Sequence, residues 1–185
     1  MLDPQEAPPI APAALRAVLG RFATGVTIVT CRDGAGMPVG LTANSFNALS
    51  LEPPLVLWSL RQSSPSLPAF RQARYFAINI LAESQVDLSR RFASPVPDKF
   101  AEGLWSDGAD GAPVLTGAAA VLECEREVEH EAGDHLLFIG RVRRLADLAT
   151  APLVFHGGHY HLLGGVIRDA RAEVVRDLRR GLPPV

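Results

Sequence analysis

Thr42, Asn44 and Ser45 stand close together in Gly40-Leu41-Thr42-Ala43-Asn44-Ser45-Phe46, where an ordinary strand would carry bulky apolar side chains. Two hydroxyls, an amide and free backbone N–H groups at a strand end suit the gripping of an anion or a polar heteroaromatic ring. The same pattern also suits a polar edge strand. A second group, Ser59, Arg61, Ser63 and Ser64, follows an apolar run, and Arg90 and Arg91 come later. Hydroxyls and guanidinium groups are what a phosphate needs. Serines also serve turns, and paired arginines also serve a solvated helix face. His135 follows Gly133-Asp134, either as a rim contact to a ligand or as a surface turn residue. His156-Gly157-Gly158-His159-Tyr160-His161 invites a metal reading, but no carboxylate or cysteine in that cluster completes a typical site, so no metal is assigned. The glycines suit a hairpin there. His-Gly-Gly without a Gly-x-Ser-x-Gly elbow disfavours hydrolysis.

These residues need elements to position them. Apolar spacing at Leu15, Val18, Leu19 and Phe22 predicts a helix over 13–22 after a flexible lead over 1–12. Residues 25–31 and 37–43 read as two strands joined by a glycine-rich turn. Strands follow over 55–60 and 75–81, with a turn at 63–68 that could cap a short helix between them. Ser84 is placed as the N-cap of a helix over 85–93, with Val86, Leu88 and Phe92 inward. Residues 94–111 are loop-rich, 118–129 hold two short strand-like pieces, and 136–142 form another strand. Short strands over 152–155 and 160–163 flank the glycines at 157 and 158. Ile167, Ala170, Val174 and Leu178 predict an amphipathic helix in a C-terminal part, 165–185. Seven or eight short strands with little strand–helix alternation favour a mainly β fold, an antiparallel Greek-key barrel with peripheral helices, over 13–164. No Gly-x-Gly-x-x-Gly is present, so any redox cofactor must be held in another way.

Composition narrows the class. The chain has 185 residues, 48% of them hydrophobic, which suits one domain with a real core. A net charge of -2 with no basic run interleaved with aromatics gives no support to nucleic-acid binding. No apolar stretch reaches membrane-spanning length. The acidic, proline-rich start lacks the pattern of a signal peptide, so a cytoplasmic protein is expected. Cys31 and Cys124 are expected as small buried groups rather than a disulfide framework. Trp58 and Trp105 suit a core or an interface.

Several separated segments together resemble one family. They are Phe22-Ala23-Thr24-Gly25-Val26-Thr27-Ile28-Val29-Thr30, the 40–46 stretch, Ser50-Leu51-Glu52-Pro53-Pro54-Leu55-Val56, Phe76-Ala77-Ile78-Asn79-Ile80-Leu81, Asp98-Lys99-Phe100, Gly133-Asp134-His135, Phe138-Ile139-Gly140-Arg141-Val142 and the run from Pro152 to Tyr160. In this order they resemble the flavin reductases of the FMN-binding split-barrel class, the reductase partners of two-component flavin monooxygenases. The resemblance implies a homodimeric split barrel that binds FMN or FAD and takes hydride from NADH or NADPH. It implies transfer of reduced flavin to a separate oxygenase. By family position, Thr42, Ala43, Asn44 and Ser45 lie along the flavin, Ser59 and Ser64 near its ribityl–phosphate arm, and Arg91 and Phe92 at the phosphate end. His135, as the catalytic candidate, and Tyr160 lie on the nicotinamide side. A non-catalytic flavin carrier or sensor, or a barrel binding haem through its histidines, stays as an alternative.

Overall fold

The computed structural model describes residues 9–165. Helix α1 is Pro12–Leu19, followed by strands β1, Thr24–Gly25, β2, Thr27–Arg32, β3, Pro38–Ala43, β4, Asn47–Leu51, and β5, Pro54–Arg61. Helix α2, Leu67–Gln72, leads to β6, Tyr75–Ile80, and a 3-10 turn at Glu83–Gln85 leads to α3, Val86–Ala93. Strands β7, Trp105–Asp107, β8, Pro113–Leu115, β9, Ala120–Ala132, β10, His135–Asp147, β11, Val154–His156, and β12, His159–His161, complete the described chain. The parts expected over 1–8 and 166–185, the C-terminal helix among them, lie outside the described residues.

Seven strands form one antiparallel sheet in the order β3-β2-β6-β9-β10-β5-β4. The mainly β, antiparallel expectation holds. Strand β2 explains the layering. Its β-branched run Thr27, Ile28, Val29, Thr30 is buried throughout, because successive side chains point to opposite faces and both faces are covered. Val29 joins a core with Trp58, Phe70, Phe76, Ile78 and Phe138. Ile28 joins a second core with Val26, Leu81, Phe92, Leu115 and Leu153. Trp58 stacks on Phe138 at 4.7 Å and meets Phe70 edge-on at 4.9 Å. Gly140 allows the sheet to close on that core, since a Cβ there would collide with the ring of Phe76. Both cysteines are buried, and burial pushes each thiol up to about 12, which leaves them inert.

Local expectations differ from the structure at several places. The segment expected as two short pieces over 118–129 is the single 13-residue β9, paired with β10 across two bulges. Its outer half, where Glu127, Glu129 and Glu131 alternate with Val128, His130 and Ala132, is exposed on both faces, so no apolar stripe marks it as one strand. Ser84 caps nothing: the Gln85 side chain accepts from the Ala82 N–H at 3.0 Å instead. Helix α1 stops at Leu19, and none of its residues is buried. The loop-rich stretch over 94–111 contains β7, which pairs with β8.

Candidate functional site

Alternation along β5 makes one wall. Val56, Trp58 and Leu60 are buried inward, so Ser59 and Arg61 fall on the other side. The antiparallel register then sets His135, the first residue of β10, opposite Arg61. A second wall is the end of β3 and the link to β4, residues 42–45, which adjoins β5 through Ser45 and Ser59. Helix α3 closes one side, because Gly40 lets it lie directly on β3. A Cβ on Gly40 would come within 2.6 Å of the Phe92 ring. The result is an open cleft of about 670 Å³. Thr42, Ala43, Asn44, Ser45, Ser59, Ser64, Phe92 and His135 all line it, which brings together eight of the ten residues expected at the site.

The other two do not line it. Arg91 turns its guanidinium to Glu102, and this hydrogen bond raises its pKa. Tyr160 meets the buried Ser89 hydroxyl at 2.9 Å, lies under the Arg90 guanidinium and packs beside Phe155. Two of the surrounding histidines bond within their own hairpin. A ring nitrogen of His159 contacts the Gly157 carbonyl, and one of His161 contacts that of His156. Among the described residues no group of three or more His, Cys, Asp or Glu could hold a metal ion.

Within the cleft the polar groups divide into spent and free. The Thr42 hydroxyl donates to the Ser89 carbonyl at 2.6 Å, tying β3 to α3. The Ser45 hydroxyl donates to the Ser59 carbonyl at 2.9 Å and accepts from the Ser59 N–H at 3.0 Å. It thereby replaces a strand neighbour for β5. The Ser64 hydroxyl accepts from the Ser66 N–H at 3.3 Å. Asn44, by contrast, is exposed, and its amide makes no hydrogen bond among the described residues. His135 places one ring nitrogen, Nδ1, 2.7 Å from an Asp134 carboxylate oxygen. That contact holds the Asp134 carboxyl below its ordinary value. It leaves His135 Nε2 open to a ligand.

The structure adds residues that sequence reasoning did not place at the site: Leu41, Leu60, Pro65, Ser66, Ser94 and Lys99. Lys99 is half-buried and donates to the Phe92 carbonyl at 2.8 Å and the Gly40 carbonyl at 3.4 Å. Burial pushes its pKa below the ordinary lysine value. One signal was available, because Lys99 is the only lysine in a chain that otherwise uses arginine.

Comparison with known proteins gives the family. The family model described as "Flavin reductase like domain" matches residues 19–164. A Rhizobium meliloti protein named probable flavin reductase is 47% identical over 170 residues, covering 92% of this chain and 55% of its own length. The reductase subunit HsaB of a flavin-dependent monooxygenase from Rhodococcus jostii is 45% identical over 82% of this chain and 77% of its own. The chain therefore spans about half the length of the first relative and most of the second. The structure of the Streptomyces globisporus NADH:FAD oxidoreductase SgcE6, in complex with NAD and FAD fragments, superposes with a TM-score of 0.79. It is 35% identical, and the match covers 89% of this chain and 96% of that one. The chain belongs to the flavin reductase family.

Proposed function

We propose that the protein is an NAD(P)H:flavin oxidoreductase whose cleft binds FMN or FAD and that supplies reduced flavin to a separate monooxygenase. The observation that carries this reading is the convergence on one cleft of the 42–45 segment, the Ser63, Ser64 and Ser66 loop, two cations and His135. The donor set fits a flavin. Leu41 and Pro65 offer apolar surface for a ring system, Asn44 offers both amide donor and acceptor, and Arg61 and Lys99 offer positive charge for a phosphate. A volume of about 670 Å³ lies within the usual range of ligand sites. What a flavin supplies when bound is a hydride acceptor.

The chain's own part is to bind and to orient. Transfer of hydride from a nicotinamide needs no general base, only two rings held in register. Thr42 and Ser45 act indirectly, since their hydroxyls fix the rim rather than face a ligand. Asn44 and backbone N–H groups of the same segment are the contacts left free. His135, anchored by Asp134 through one nitrogen, presents the other toward the nicotinamide side. A homodimeric split barrel and a cytoplasmic setting belong to this reading. The two free, buried thiols are compatible with such a setting.

Steady-state oxidation of NADH or NADPH by the purified protein, with FMN or FAD added, tests the proposal. A flavin-dependent rate well above the protein-free background is expected. In the same assay, run as single turnovers, His135→Ala slows nicotinamide oxidation more than it weakens flavin binding. No flavin-dependent rate with any pairing of the nucleotides would remove the proposal.

A further inference from the structure

We infer that Tyr160 is a positioning residue: from outside the cleft, through Ser89, it holds helix α3 in the place that closes the flavin site. The inference rests on the flavin reading above. It begins from Ser89, which is fully buried in the middle of α3. Serine is a mediocre helix former, and a buried hydroxyl is costly unless it is bonded. Its ordinary outlet in a helix is the carbonyl one turn back, the bond that Ser94 makes to Arg90. Among the described residues Ser89 makes no such bond. Its hydroxyl meets the Tyr160 hydroxyl instead, at 2.9 Å, and either group can donate.

The backbone of the same residue is held from the other side, where its carbonyl accepts from the Thr42 hydroxyl at 2.6 Å. Ser89 is therefore clamped between β3 of the seven-stranded sheet and β12 of the three-stranded one. Phe92, which lines the cleft, lies three residues on, along the same buried face of the helix. A helix of eight residues has little stability of its own, so its placement depends on such ties. The hairpin that supplies Tyr160 is itself fixed. Strand β11 pairs with β1 on one side and β12 on the other, and the Tyr160 ring packs beside Phe155 at 5.5 Å. The Gly157 N–H donates to the Gly20 carbonyl at 2.9 Å, which pins the turn to the end of α1. The Arg90 guanidinium, 5.7 Å above the Tyr160 ring, is a second tie to α3 that does not need the hydroxyl. Tyr160 thus serves the reaction through geometry alone. A small shift of α3 displaces both Phe92 and the Thr42 rim, where two rings must be held in register.

Two other roles compete for Tyr160: direct contact with the nicotinamide, the place that the family resemblance implies, and fold stability alone. Tyr160→Phe removes the hydroxyl and keeps the ring under Arg90. Ser89→Ala removes the other half of the bond. Both variants and their combination are compared with the wild type by FMN and FAD titration, by the KM of the reduced nicotinamide at saturating flavin, and by urea unfolding. We expect each single change to weaken flavin binding about three- to tenfold, the worth of one lost hydrogen bond. The double variant should bind no more weakly than the weaker single one, because both changes remove the same bond. The nicotinamide KM should stay at its wild-type value. A raised KM in Tyr160→Phe alone, with flavin affinity intact, would place the ring against the nicotinamide and overturn the inference. So would a lowered unfolding midpoint with unchanged flavin affinity, which is all that a structural bond gives, and so would additive losses in the double variant. Each of these results leaves the flavin reading standing. Wild-type protein that binds neither flavin would end that reading and this inference with it.

Discussion

The cleft and the β11–β12 hairpin both advertise chemistry, but they differ in what is left over. The hairpin carries three histidines and a tyrosine within six residues. Two of the histidines are bonded to carbonyls of the same hairpin, and the tyrosine is bonded to Ser89. The cleft is built of plainer residues. There Asn44, Lys99, Arg61 and one nitrogen of His135 keep hydrogen-bonding capacity that the fold does not use. Residue type shows what a group can do, while its partners show whether it is free to do it.

The largest expected effect breaks the cleft from behind. Phe92 is 1% exposed, belongs to the second core and also lines the cleft. Phe92→Ala should cost about 3–5 kcal/mol in urea unfolding and abolish tight flavin binding. An unfolding midpoint near that of the wild type would mean that α3 is not what closes the site. Ser45→Ala is next. It leaves the Ser59 N–H and carbonyl without their partner, so about 1–3 kcal/mol of stability should be lost. Flavin affinity should fall with the loosened rim, although the hydroxyl itself is not free to touch a ligand. The smallest effects are expected at Arg91→Ala and His159→Ala, whose side chains do not line the cleft. Flavin titrations of both should match the wild type. A loss of about tenfold for Arg91→Ala would restore it to the phosphate end.

Much of the fold was legible because period-two apolar patterns and glycine turns are local signals. Strand β2 and the β5 run behaved as their β-branched and apolar residues imply. Strand β9 did not, because its outer half is exposed on both faces and has no buried apolar stripe. That the polar segment 42–45 lines a cleft was legible from residue type alone. Arg91 was not, because its partner Glu102 lies eleven residues away across a loop that gives no periodic signal. Lys99 was overlooked for a related reason. It sits in a proline-rich loop, and only the approach of α3 to β3 carries it into the cleft.

The central claim is that the flavin occupies the cleft between residues 42–45 and the serine loop. A crystal of the protein grown or soaked with FMN tests it most directly. The account predicts ring density beside Asn44, with the phosphate within reach of Lys99. Flavin bound against the β11–β12 hairpin, or a cleft filled by rearranged side chains at saturating FMN, would contradict it.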